Sequence, residues 1–142
     1  MDKEVEVTKC QMWIYGLPAI LRDPLIVFMA IYSIIFYEEL GASLSIMAFF
    51  IGISRALDVL NDPLIANWSD NTKTKYGRRY PWILGSFIFF VIAVIGYWIP
   101  PEGEGIEAWF AIFNILVYIG YSLVYIPYAA IAPELTYDYN TR

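Results

Sequence analysis

Two uncharged apolar runs constrain this chain most. YPWILGSFIFFVIAVIGYWI spans residues 80–99 and AWFAIFNILVYIGYSLVYIPYAAIA spans 108–132. A helix crosses the hydrocarbon core of a bilayer in roughly 20 apolar residues, so each run is long enough to span. Two more segments qualify with charged interruptions: 11–37, broken by Arg22 and Asp23, and 43–68, broken by Arg55, Asp58 and Asp62. The expectation is an all-α membrane protein. It has four transmembrane helices, over about 11–37, 43–68, 80–99 and 108–132, in one membrane domain covering residues 1–142. The connectors EELGA, SDNTKTKYGRR and PEGEGIE are short, which makes successive helices antiparallel neighbours. Pro18, Pro24, Pro63 and Pro127 lie inside or near the spans, where proline removes a backbone donor and favours a kink. Ending the helix is the alternative at each proline, and it fits Pro18 better than Pro63 or Pro127.

Composition narrows the function. The chain is 59% hydrophobic and 16% charged, too apolar to disperse as a soluble domain. A net charge of −5 opposes a nucleic-acid partner, which needs a basic face. Histidine is absent and Cys10 is the one cysteine, so no internal disulfide and no ordinary zinc site can form. No phosphate loop, nucleophile elbow or metal cluster occurs, and no cofactor is expected. Lys3, Lys9, Lys73, Lys75, Arg78, Arg79 and Arg142 fall in the tails and the second connector. The first and third connectors carry only Glu38, Glu39, Glu102, Glu104 and Glu107. The positive-inside rule then places both ends of the segment, and the second connector, in the cytoplasm.

The charges within the spans carry the chemistry. On a helix Arg55, Asp58 and Asp62 share a sector of about 60°, with Asn61 about another 60° away. A charge at the bilayer centre costs about 2.5–3.5 kcal/mol or more, so this stripe turns to a partner or to water. Leu57, Leu60 and Leu64 remain free to face lipid or protein. A salt bridge from Arg55 to Asp58 that only fixes packing leaves Asp62 over. Alternatively, two carboxylates one turn apart bind a monovalent cation through oxygen ligands, as a hard ion such as Na⁺ requires. In a third reading one carboxylate carries a proton, since burial and a like-charged neighbour favour the neutral acid. In the fourth span Asn114, Tyr118, Tyr121, Tyr125 and Tyr128 share about 80°, with Ser122 about 40° outside. Mid-span tyrosine hydroxyls need partners, which suits a polar cavity. Aromatic faces with hydroxyl tips suit a sugar. Arg22 and Asp23 either pair locally or each seek partners elsewhere, and Asp23 is a candidate acceptor for a polyol.

DVLNDP at Asp58–Pro63 and DNTKTKYGRRYPW at Asp70–Trp82 resemble the glycoside–pentoside–hexuronide:cation symporters of the major facilitator superfamily. Arg22-Asp23 near the start is similar to the family as well. So are Ile126-Pro127-Tyr128, Pro133-Glu134-Leu135-Thr136 and Arg142 towards the end. The resemblance implies that Asp58 and Asp62 are cation ligands, with Asn61 beside them and Ser122 in place of a family threonine. It implies a solute site at Asp23 and Arg22, and a conformational switch loop at Asp70, Arg78 and Arg79. That loop also satisfies a plain topological role. Where the family's best-known member has a second sugar-binding aspartate, this chain has Tyr125, so galactoside specificity does not carry over. Family members have twelve helices in two bundles. The four spans would be the first four of the N-terminal bundle, completed by the remaining helices of the transporter.

The function expected is cation-coupled transport, with Na⁺ or H⁺, of a sugar-like solute across the cytoplasmic membrane. The alternative is a truncated membrane subunit without transport. A four-helix exporter working as a dimer leaves the symporter-like loop unexplained. An intramembrane aspartyl protease needs aspartates on facing helices, whereas the strongest pair here lies on one.

Overall fold

The computed structural model describes residues 9–72 and 80–131, with side chains given from Ile26 onward (Tyr80 aside) and at a few earlier positions. Four helices follow one another: α1 (Lys9–Glu39), α2 (Leu44–Asn71), α3 (Tyr80–Tyr97) and α4 (Ile106–Ala129). Among the described residues, α2 and α4 are long and apolar enough to cross a membrane, while the apolar run of α3, Pro81–Tyr97, is shorter. The prolines do not end the helices. α1 continues past Pro18 and Pro24, and Pro63 and Pro127 lie inside α2 and α4.

Local chemistry sets the ends. After α1, Gly41 takes φ 95°. Its N–H reaches the Glu38 carbonyl, and the Ala42 N–H reaches the Tyr37 carbonyl. This pattern satisfies carbonyls at a helix end and needs a residue that accepts the left-handed region. α3 ends two residues short of its expected limit because Pro100 and Pro101 follow. The Trp98 N–H there is shared between the Val94 and Ile95 carbonyls, both at 3.2 Å. α2 overruns its expected end at residue 68 and reaches Asn71. Ser69, Asn71 and Thr72 turn their side chains back to the carbonyls of Ala66, Asn67 and Trp68, adding side-chain hydrogen bonds to the last turns of the helix. Asp70 therefore sits in the last turn of α2, not in the connector where the sequence reading places it.

α4 packs along both α2 and α3, whereas α1 meets α2 more sparingly. At one end Tyr37, Met47, Tyr97, Ile106 and Phe110 form a buried core. The Tyr37 hydroxyl donates to the Tyr97 carbonyl, and the Tyr37 ring meets that of Phe110 edge-on at 4.9 Å. At the same end the backbone N–H of Ser43, before α2, donates to Glu107 Oε1 in the first turn of α4 at 3.1 Å. α2 and α4 thus start together and run parallel. Large apolar side chains point outward elsewhere. Val59, Leu60, Leu64 and Trp68 on α2 and Ile88 and Ile92 on α3 are exposed. Such a surface suits lipid or further helices better than water.

Candidate functional site

Arg55 and Asp58 lie one turn apart, near the middle of α2, and project towards α4. Arg55 Nη1 stands 3.8 Å from Asp58 Oδ2. The Arg55 guanidinium lies over the Tyr118 ring of α4, 4.5 Å from its centroid. Asp58 Oδ1 is buried and has no hydrogen-bond partner. An anionic oxygen shielded from water with nothing to accept from is costly, and such an oxygen is what a bound cation satisfies. Asp62 is exposed and Asn61 half-buried one turn further on. Asp62 follows Asp58 by one turn on the same helix.

Just above this stripe a buried polar link joins the two helices. Asn114 Nδ2 donates to Ser54 Oγ at 2.7 Å, and Ser54 Oγ donates to the Phe50 carbonyl at 2.9 Å. The pairing matches residue n on α2 with about n+60 on α4. It brings Ser122, which is buried, level with the turn from Asp58 to Asp62.

A cavity of about 290 Å³ opens beside these residues, walled by all four helices. Its polar lining is Ser33, Arg55, Tyr97, Asn114, Tyr118 and Tyr121, and the rest is apolar. Asn114, Tyr118 and Tyr121 thus meet on one wall as their spacing predicts. Tyr125 and Tyr128 are not in that wall. Tyr125 instead stacks on Tyr121, ring centroids 5.5 Å apart and planes at 10°. The side chains of Arg22 and Asp23 lie outside the described residues, as do Arg78, Arg79 and Arg142. Three contributors escape sequence reasoning: Ser54, Ser33 and Tyr97. Ser54 lies four residues before Asp58, on the same helical face, and that spacing was the available signal. Ser33 and Tyr97 stand in apolar runs that give no such signal.

A model of the MFS/sugar transport protein family matches residues 14–142. The chain belongs to that family. It is a family of sugar and glycoside cation symporters, membrane transporters and not enzymes. The inner membrane symporter YicJ of Escherichia coli is 32% identical over 120 residues, covering 79% of this chain and 25% of the relative. The putative glycoside/cation symporter YagG of the same organism is 31% identical over 110 residues, 75% of this chain and 24% of the relative. The sodium-dependent lysophosphatidylcholine symporter 1 of Gallus gallus is 28% identical over 92 residues, 63% of this chain and 17% of the relative. The chain thus spans a quarter or less of the length of these relatives. No solved structure matches it.

Proposed function

We propose that this chain is the cation-binding part of a symporter that couples Na⁺ or H⁺ to uptake of a sugar-like solute across the cytoplasmic membrane. Its four helices would be the first four of an N-terminal six-helix bundle. Asp58 and Asp62 serve as the cation carboxylates, with Asn61 and Ser122 beside them. Tyr121 offers a face to the solute from the cavity wall, and Asp23 and Arg22 are the solute residues that the family resemblance implies. The observation that carries the reading is the buried, unpartnered Oδ1 of Asp58, one turn from a second carboxylate in an apolar helix. The relatives differ in the solute they are named for, a glycoside in one and lysophosphatidylcholine in another. Both names include a cation, which supports assigning the coupling ion to the shared segment.

Calorimetry on the complete protein tests this. Asp58→Asn and Asp62→Asn remove a charge with little change of shape. Each is expected to abolish stimulation of solute binding by Na⁺ or by protons while some cation-independent binding persists. Linkage requires that solute then also ceases to tighten cation binding. Asp23→Asn is expected to weaken solute and spare the cation. Full cation coupling in both α2 variants would make the aspartates structural.

A further inference from the structure

We infer that Tyr118 is a positioning residue for Arg55, and that its ring holds the guanidinium partly off Asp58 and so sets how tightly that carboxylate takes Na⁺. The inference rests on the proposal that Asp58 is a cation ligand.

The guanidinium has two seats. One is the Asp58 carboxylate on its own helix, with Nη1 at 3.8 Å from Oδ2. The other is the face of the Tyr118 ring on α4, at 4.5 Å. An engaged charge-assisted hydrogen bond between such groups measures about 2.7–2.9 Å, and an arginine often grips both carboxylate oxygens. Here the pair is held beyond that distance, and the second oxygen, Oδ1, receives nothing. The guanidinium therefore attends Asp58 without occupying it. The flat, electron-rich ring gives the cation a place to rest that leaves the carboxylate open.

The consequence is competition. Arg55 is tethered three residues from Asp58, so its effective concentration at the carboxylate is high. Na⁺ must displace it to use that carboxylate. A seat on Tyr118 lowers the guanidinium's occupancy of Asp58 and favours Na⁺. Without the ring, Arg55 has Asp58 alone and becomes a stronger internal competitor. The ring takes part only through Arg55, so its effect vanishes when the guanidinium is absent.

The test titrates NaCl into the complete protein in proteoliposomes by calorimetry, without solute. Tyr118→Leu is expected to raise the Na⁺ dissociation constant about fivefold, equivalent to about 1 kcal/mol. Tyr118→Phe keeps the ring and is expected to recover most of that loss, which also shows that the site still folds. In an Arg55→Gln background, Tyr118→Leu is expected to have no further effect. An equal loss with and without Arg55 overturns the inference, as does no loss, a Tyr118→Phe variant as weak as Tyr118→Leu, or an unmodified protein that binds no Na⁺. Asp58→Asn separates the two readings. If Na⁺ binding survives that substitution, the cation-site proposal fails. If Asp58→Asn abolishes binding and Tyr118 has no influence, the inference alone fails.

Discussion

Asn114 is an amide in an otherwise apolar helix, only 5% exposed, and it is tolerated because Ser54 accepts its proton across the α2–α4 interface. Ser54→Ala leaves that amide buried with one partner fewer. Interhelical hydrogen bonds in membranes are worth about 0.6 kcal/mol on average and up to about 1.7. The expected outcome is a loss in that range, read as a lower midpoint of thermal unfolding in detergent. Ser54→Ala with Asn114→Leu replaces both partners by apolar groups and is expected to recover part of the loss. If the double variant is less stable than Ser54→Ala alone, the link is not what Asn114 contributes. At this scale angular counting put Asn114, Tyr118 and Tyr121 on one face, and they line one wall. It gave Tyr125 and Tyr128 the same face, and Tyr125 stacks on Tyr121. It could place Ser54 on the face of Asp58 but could not pair it with Asn114, because a cross-helix pair depends on which helices are neighbours and in what register. A period of 3.6 residues carries neither fact.

The helices themselves were legible to within a few residues, because lengths of apolar sequence bounded by Pro, Gly and Glu leave little freedom. The largest departure is the end of α2, where Ser-Asp-Asn-Thr reads as a polar connector but uses its side chains to close the last turn. The packing of α3 on α4 was not legible. Gly96 meets the edge of Phe113 so closely that an added Cβ would overlap its ring carbon Cε1. Phe113 cannot easily yield, since the Trp109 ring lies 4.4 Å from it and Trp109 Nε1 donates to the Gly96 carbonyl at 2.9 Å. Small residues allow membrane helices to approach in this way. Gly96→Ala is therefore expected to destabilise by about 1–3 kcal/mol, as overpacking does. Phe113→Leu in the same chain is expected to relieve most of it. Thermal unfolding of the two variants checks this, and a Gly96→Ala variant as stable as the parent would mean that α3 and α4 separate at no cost.

Across the whole molecule the helices form two successive hairpins, α1–α2 and α3–α4, set side by side about 60 residues apart. Tyr37 meets Tyr97, and Ser54 meets Asn114, at that same separation. This arrangement gathers the start of α1, the end of α2, the start of α3 and the end of α4 at one end. In the sequence, Lys3, Lys9, Lys73, Lys75, Arg78, Arg79 and Arg142 fall in the tails and the connector that flank those four points. The other end holds the aromatic core and the acidic connectors, with Glu107 bonded to Ser43. A segregation this complete fixes orientation if the helices span a bilayer, because Lys and Arg are retained on the cytoplasmic side. Cys10, the one cysteine, stands at the first turn of α1 and reports on the basic end. A membrane-impermeant maleimide is expected to label Cys10 in inverted vesicles and to leave it unlabelled in intact cells. Permeabilised cells, in which both faces are open, are expected to label as strongly as the vesicles and so show that the thiol is reachable. Labelling from outside intact cells would reverse the orientation. The charge distribution would then have failed as a guide, and the Ser43–Glu107 end would face the cytoplasm instead.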